Sequence, residues 1–251
     1  FILVHLLLFI IIFKVDAQKI SPRILNNTWP AQWIGPADER VRDYGVHHFR
    51  RTFYVNQVPQ KLLIHLSADN RYKFFVNGQQ VSDGPARGDL ANWYFETVDI
   101  APYLKNGKNI LAALVWNMGV HAPIAQFSSE TAFILQADES SADSLNTNQQ
   151  WKWKRSCAYS PTSLDNGERM KAYFAIGAND EVNFKEYDWG WETLDFNDTS
   201  WTSPMIIAHG QPDGYGSDNR WTLKPRTIPP MEHTVQRPGK IVRQTGLTGK
   251  L

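Results

Sequence analysis

Between Tyr72 and Val81 the sequence reads YKFFVNGQQV, and its two apolar-containing runs meet at Asn77-Gly78. Asn-Gly in this position is the strongest short-range signal for a two-residue β-hairpin, because both residues tolerate the positive φ such a turn needs. HHFRRTFYV (47–55), LLIHLS (62–67), NWYFETVDI (92–100), KNILAALVWN (108–117) and TAFILQA (131–137) read as further strands, with turns at Pro102 and Lys105-Asn106-Gly107. No window of this region keeps a 3.6-residue apolar period long enough for an ordinary helix. Short strands with frequent turn formers, and 10 Trp, 16 Gly and 14 Pro overall, predict an all-β chain with a jelly-roll β-sandwich over residues 31–137.

Residues 138–150 hold one large apolar side chain, Leu145, and read as a loop. Beyond it, WKWKRS (151–156), YFAI (173–176), EYDWGWETLDFNDTSW (186–201) and PMIIA (204–208) predict a smaller β unit over 150–210. Residues 211–251 read as a Pro-rich extended connection to a further region. At the other end, FILVHLLLFIIIF (1–13) is too short to span a bilayer, which takes about 20 residues. Small residues at Val15 and Ala17 then suit a cleavage site. A clipped signal peptide over 1–17 is expected, with export to the periplasm or the extracellular space and no membrane attachment of the mature chain.

The single cysteine, Cys157, excludes an intramolecular disulfide and is expected as a buried, inert thiol. With 26 basic and 25 acidic residues the net charge is +1. That gives no electrostatic case for nucleic acid or an anionic membrane. Sequons at Asn26 and Asn197 matter only in a eukaryotic secretory pathway, and Arg87-Gly88-Asp89 reads as a chance tripeptide.

Catalytic signatures are sparse. No G-x-S-x-G elbow occurs, the 7 His show no zinc spacing, and the adjacent His47 and His48 point to opposite faces of a strand. Glu181, Glu186, Asp188, Glu192, Asp195 and Asp198 lie close in sequence. Glycoside hydrolysis needs two carboxylates facing across a cleft, ~5–10 Å apart, and turn-forming acids explain this run more simply. Binding has a better pattern. Asp69-Asn70 closes one strand, Asn117 ends another, and Pro123 follows. Such strand ends can converge at one edge of a sandwich. A carboxylate, two amide oxygens and a backbone carbonyl are hard donors of the kind calcium takes. Trp93 lies beyond the loop after the hairpin, where an aromatic ring can stack on a sugar. Plainer readings stand beside these: Asp-Asn after a strand makes a turn, and Trp93 fits a core.

AQWIG (31–35), FRRTFYV (49–55), LSADNRYKFFVNGQQVSDGP (66–85), DIAPYLKNGKN (99–109), DFNDTSW (195–201) and RWTLKPRTIPPME (220–232) occur in this order. Together they resemble the N-terminal, non-catalytic region of bacterial α-L-rhamnosidases over most of residues 31–232. The N-G hairpin with D-I-x-x-x-L-x-x-G-x-N also occurs in sugar-binding-like sandwiches of other glycosidases, such as β-galactosidases, which makes the expected sandwich galactose-binding-like. The resemblance implies a jelly roll in which Asp69, Asn70, Asn117 and a carbonyl near Pro123 hold calcium, with Trp93 contributing to a rhamnose site. Arg87 is the expected hydroxyl donor on its rim. The family carries its hydrolytic carboxylates on a helical (α/α)₆ barrel, whose repeat pattern is not found in this sequence. The expected role is therefore an accessory region without turnover of its own. Its expected partners are a rhamnose-containing glycan and a C-terminal catalytic domain of the same protein. Two alternatives remain: a sandwich that only packs against that barrel, and a hydrolase active by itself.

Overall fold

The computed structural model describes residues 20–37, 43–123, 125–162, 178–212, 220–232 and 239. The leader expected over 1–17, the YFAI stretch and much of the connection over 211–251 lie outside the described residues. In chain order the strands are β1 (Gln32–Gly35), β2 (Gly45–Val55), β3 (Leu63–Asp69), β4 (Arg71–Val76), β5 (Gln79–Gly84), β6 (Trp93–Asp99) and β7 (Gly107–Asn117). They continue as β8 (Ala132–Ala137), β9 (Lys152–Arg155), β10 (Tyr159–Pro161), β11 (Asp180–Val182), β12 (Met205–His209), β13 (Gln211–Pro212) and β14 (Thr222–Pro225). A five-residue helix, α1 (Pro22–Asn26), precedes them.

The hairpin forms as read. Asn77 and Gly78 both have positive φ, 51° and 85°. The Asn77 side chain fastens the turn to β7, accepting from the Ile110 N–H (3.1 Å) and donating to the Tyr103 carbonyl (2.9 Å). The strands then assemble into a seven-stranded sheet, β12-β1-β8-β3-β6-β14-β13, and a five-stranded sheet, β5-β4-β7-β2-β9. Their facing sides enclose the core. Phe133 sits at its centre, with ring centroids 5.8 Å from Phe49, 6.4 Å from Phe74 and 5.6 Å from Trp151. In β4 the period of two is clear: Tyr72, Phe74 and Val76 point inward, leaving Arg71, Lys73 and Phe75 on the outer face.

β3 is buried at every position, which alternation alone does not explain. Ile64, Leu66 and Ala68 enter the core, while His65, Ser67 and Asp69 lie on the outer face of the seven-stranded sheet. That face is covered by a second cluster, with Trp29, Trp33, Trp93, Phe95, Trp221 and Leu223. The outer face of the five-stranded sheet is covered at one end by a strap, residues 183–201, whose Trp191 and Trp201 pack over Ile110 and Ala112.

The smaller β unit expected over 150–210 is only partly separate. β9 is an edge strand of the five-stranded sheet and β12 an edge strand of the seven-stranded one, while β10 and β11 form a ribbon of their own. β14, from the Pro-rich connection, runs parallel to β6. These late strands pair with ladders the first 137 residues would leave open. The stretch 186–201 forms turns, because its aromatic side chains serve as a cover rather than alternating across a sheet. Cys157 is exposed, contrary to the expected buried thiol. Among the described residues no helix is long and apolar enough to cross a membrane.

Candidate functional site

Asp69, Asn70 and Asn117 meet where β3, β4 and β7 end. The Asn70 N–H donates to the Trp116 carbonyl (3.3 Å), which joins the β3–β4 corner to the end of β7. The crossover after β7 then folds back over this corner. Asp69 Oδ2 accepts from the Ser129 N–H (2.7 Å), the Glu130 N–H (3.3 Å) and Trp221 Nε1 (3.0 Å). Asn70 Nδ2 donates to Asp69 Oδ1 (2.6 Å) and to the Phe127 carbonyl (3.3 Å), and Asn70 Oδ1 accepts from the Met118 N–H (3.1 Å). Asn117 Oδ1 accepts from the Gly119 N–H (2.8 Å), and its Nδ2 donates to Ser128 Oγ (3.2 Å). The Ser128 side chain in turn bonds Asp69. Burial pushes the Asp69 carboxyl up to about 6, against the pull of these donors.

The donor set suits calcium in kind, as it offers oxygen from one carboxylate, two amides and backbone carbonyls. Each of those oxygens also receives an N–H within the protein, and the Pro123 carbonyl accepts from Gln126 (2.9 Å). The fit turns on Asn70, whose amide nitrogen stands between Asp69 Oδ1 and the Phe127 carbonyl. Turned end for end, the amide keeps its shape and sets three oxygens together, which repel unless a cation lies among them. The Met118 N–H would then lose its acceptor. Among the described residues no group of three or more His, Cys, Asp or Glu stands ready for a metal. A site here rests on one carboxylate, and an affinity of ~10⁻⁴–10⁻³ M, as in extracellular modules, is in keeping with that.

Trp93 requires a correction. It is 3% exposed and packed in the outer cluster, so it presents no open ring for stacking. β14 causes this, because Leu223 pairs in register with Trp93. The indole Nε1 is buried and meets no acceptor among the described residues. Trp93 also lines a narrow slit with Asn70, Arg87 and Gln126, too tight for a water molecule. Asn70 is thus common to the polar network and to the slit, and Pro123 sits in the crossover above the network.

A larger feature adjoins the slit across residues 85–87. Where the strap stops, a cleft of about 700 Å³ opens on the outer face of the five-stranded sheet. Arg71, Lys73, Leu114 and Trp116 form its floor, Tyr159 and Asp180 of the β10–β11 ribbon one wall, and Ile228 and Met231 another. Arg226 pins the last wall, donating to Glu96 Oε1 (3.0 Å) and to the Ile228 and Pro229 carbonyls (3.0 and 2.9 Å). Burial raises the Glu96 carboxyl above its usual range even so. A Cβ at Gly84 would lie 2.6 Å from Glu96 Oε2, so a larger residue there would have to displace the Glu96 carboxylate. Sequence reading did not find this cleft; the available signal was the outward pair Leu114 and Trp116, which continues the apolar outer positions Ile110 and Ala112 of the same strand.

The acidic run at 181–198 does not face a cleft as a catalytic pair. Asp188 binds Lys154 (2.7 and 2.9 Å), and Asp198 binds Arg50 (2.6 Å) and Lys152 (2.7 Å), so both anchor the strap.

A scan against protein-family models finds no match, and neither does a search of curated proteins. Solved structures do match. A GH78 family rhamnosidase of Bacillus sp. GL1 superposes with a TM-score of 0.68 at 26% identity, over 81% of this chain and 20% of that one. The α-L-rhamnosidase of Streptomyces avermitilis, complexed with L-rhamnose, gives 0.50 at 16% identity over 81% of this chain and 17% of its own. The Aspergillus terreus enzyme gives 0.52 at 17% identity over 71% and 21%. The resemblance first seen in separate motifs thus extends to the fold of most of the chain. The chain is similar to a partial, all-β region of α-L-rhamnosidases, about a fifth of their length.

Proposed function

We propose that the chain is a carbohydrate-binding accessory region of an exported α-L-rhamnosidase-like hydrolase, and that it holds a terminal rhamnose through calcium. Asp69, Asn70, Asn117 and the Pro123 carbonyl would hold the ion, which on binding offers its open positions to sugar hydroxyls. Arg87, exposed at the edge of the slit, would donate to the sugar, and Trp93 Nε1, sealed within it, would do so only where binding opens the slit. Trp93 offers no open ring for stacking. One observation carries the reading: three residues from distant strand ends form one polar network, bordering a slit that holds an unsatisfied indole N–H.

Titration of the chain with L-rhamnose, in calcium and in chelator, tests it. Binding should require calcium, and Asp69→Ala should abolish both. Rhamnose binding that survives complete calcium removal, or no binding under either condition, overturns the proposal. The competing reading is a scaffold that packs against a catalytic domain. The saturation of the Asp69 carboxylate by protein donors supports it. In that case calcium leaves the melting temperature unchanged.

A further inference from the structure

We propose that the cleft on the outer face of the five-stranded sheet binds an anionic sugar residue, carboxylated or sulfated, within a glycan chain. The anionic group meets Lys73 and Arg87, and the ring lies against Trp116 and Tyr159. This rests on the carbohydrate reading of the chain, but not on calcium at Asp69.

Size is the first argument. About 700 Å³ falls inside the ~300–1,000 Å³ range of pockets that enclose small ligands. Surface character is the second. Trp116 and Tyr159 are half-buried, and such rings offer an apolar face beside a wet edge, which suits a sugar. The aromatic surface continues outward. Tyr159 packs against Tyr187 (6.2 Å) and Tyr187 against Trp189 (4.8 Å), and Trp189 is 67% exposed. A chain leaving the cleft on that side would keep meeting rings.

Charge decides the class of ligand. The lining carries Arg71, Lys73, Arg87 and Arg226 against Asp83 and Asp180. Arg226 is matched by Glu96, and Asp180 accepts from the Tyr44 hydroxyl (2.5 Å). Arg71 is held by the Pro85 carbonyl (2.5 Å) and by Gln126 (3.0 Å), neither of which is an anion. Burial lowers the Arg71 pKa, and the neighbouring Arg87 charge lowers it further. Lys73 and Arg87 are exposed, and Lys73 stands directly opposite Asp83 in the β4–β5 ladder. With Arg226 matched by Glu96, the lining still sets Arg71, Lys73 and Arg87 against Asp83 and Asp180 beside half-wet aromatic rings. That positive excess favours a sugar with a negative group over a neutral one, since charge-assisted hydrogen bonds are about twice as strong as neutral ones.

Calorimetry on the full chain, in chelator, with a galacturonate oligosaccharide tests this. The comparison ligands are its carboxyl-reduced neutral counterpart and a sulfated oligosaccharide of equal length. Binding of the galacturonate or the sulfated ligand, about tenfold tighter than the neutral one, is expected; which of the two binds tells carboxylate from sulfate. Lys73→Ala should weaken it by about tenfold without moving the melting temperature, and Lys73→Arg should restore it. Tyr159→Ala should weaken both acidic and neutral ligands. Equal affinity for acidic and neutral ligands, or a Lys73→Ala variant that binds like the parent, overturns the proposal. Arg87 borders both the slit and the cleft, so the variants are placed at Lys73 and Tyr159, which lie outside the Asp69 network, and rhamnose dependence on calcium is read separately. Either proposal can therefore fail while the other stands.

Discussion

The two outer faces of the sandwich are built alike and finished differently. On the seven-stranded sheet, Trp29, Trp33, Trp93 and Trp221 form the outer cluster, and His65 and Asp69 beneath it are paired internally, while Trp93 Nε1 meets no acceptor among the described residues. His65 bonds Thr97 and Asp138 at 2.9 Å each, and Asp69 takes Trp221 Nε1. On the five-stranded sheet, Trp191 and Trp201 cover His48 and Arg50, but the cover ends there, and Trp116 is left beside an open cleft. A covered face must satisfy its own polar groups, whereas an uncovered one keeps donors for a ligand. The half-finished face is the one beside which exposed cations, Lys73 and Arg87, stand.

The comparison breaks first at the strap. Trp191 stacks on His48 with centroids 4.1 Å apart and planes 8° apart, and it is 1% exposed. Trp191→Ala should cost ~3–5 kcal/mol in chemical denaturation, the usual loss for a buried aromatic. A loss below about 1 kcal/mol would mean that the strap rests on the sheet without holding it.

Next comes the ionic anchor. The Arg50 side chain is 1% exposed, tied to Asp198 at 2.6 Å and to the Thr193 carbonyl at 2.6 Å. Asp198→Ala leaves a buried guanidinium without its counter-charge and should cost about 3 kcal/mol. Lys152 shares the same carboxylate but is 41% exposed. Lys152→Ala should cost under about 1 kcal/mol. Equal losses from the two variants would refute burial as the cause.

Part of this contrast was legible in the sequence and part was not. Period-two alternation and Asn77-Gly78 are local signals, so the hairpin and most strands could be read within a residue or two. β3 misleads, because His65, Ser67 and Asp69 alternate like solvent-facing positions. They are buried by Trp29 and Trp221, which lie far from them in the chain. Trp93 has the same difficulty: platform and core look alike until β14, some 130 residues later, seals one side. The Asp69, Asn70 and Asn117 convergence was readable because strand ends of one sandwich edge must meet. The cleft was not, since its walls come from four separate stretches, and only the fold says where the strap stops.

A pH titration sharpens the covered side. Burial, then the charges of His47, Lys154 and Arg50, holds the His48 imidazole down at about 3. Asp188 also faces it, 3.9 Å from Nδ1. The unfolded value is about 6.5. Between pH 3 and 6.5 the unfolded chain therefore binds more protons at this position, so stability rises with pH across that window and is lost on acidification. Asp69 and Glu96, both raised by burial, act in the opposite sense. The measurement is accordingly a difference. Relative to His48→Phe, which keeps a ring in the stack, the parent should lose about 2 kcal/mol between pH 6.5 and pH 4.5. Parallel stability curves for the two would show that His48 titrates normally.

The smallest effect lies two residues from the largest. Trp189 belongs to the same strap as Trp191, yet it is 67% exposed and stacks on Phe184, itself 64% exposed, at 5.8 Å. Its indole N–H donates to the Phe184 carbonyl (3.2 Å), a bond that water can replace at this exposure. Most of its surface is wet in the folded and unfolded states alike, so burial contributes little to folding. Trp189→Ala should change stability by about 1 kcal/mol at most, against ~3–5 for Trp191→Ala. It should also weaken long anionic glycans more than short ones, because only a chain that leaves the cleft reaches its ring. If Trp189→Ala destabilises as strongly as Trp191→Ala, its ring is part of the cover, and the aromatic run out of the cleft exists only to hold the strap in place.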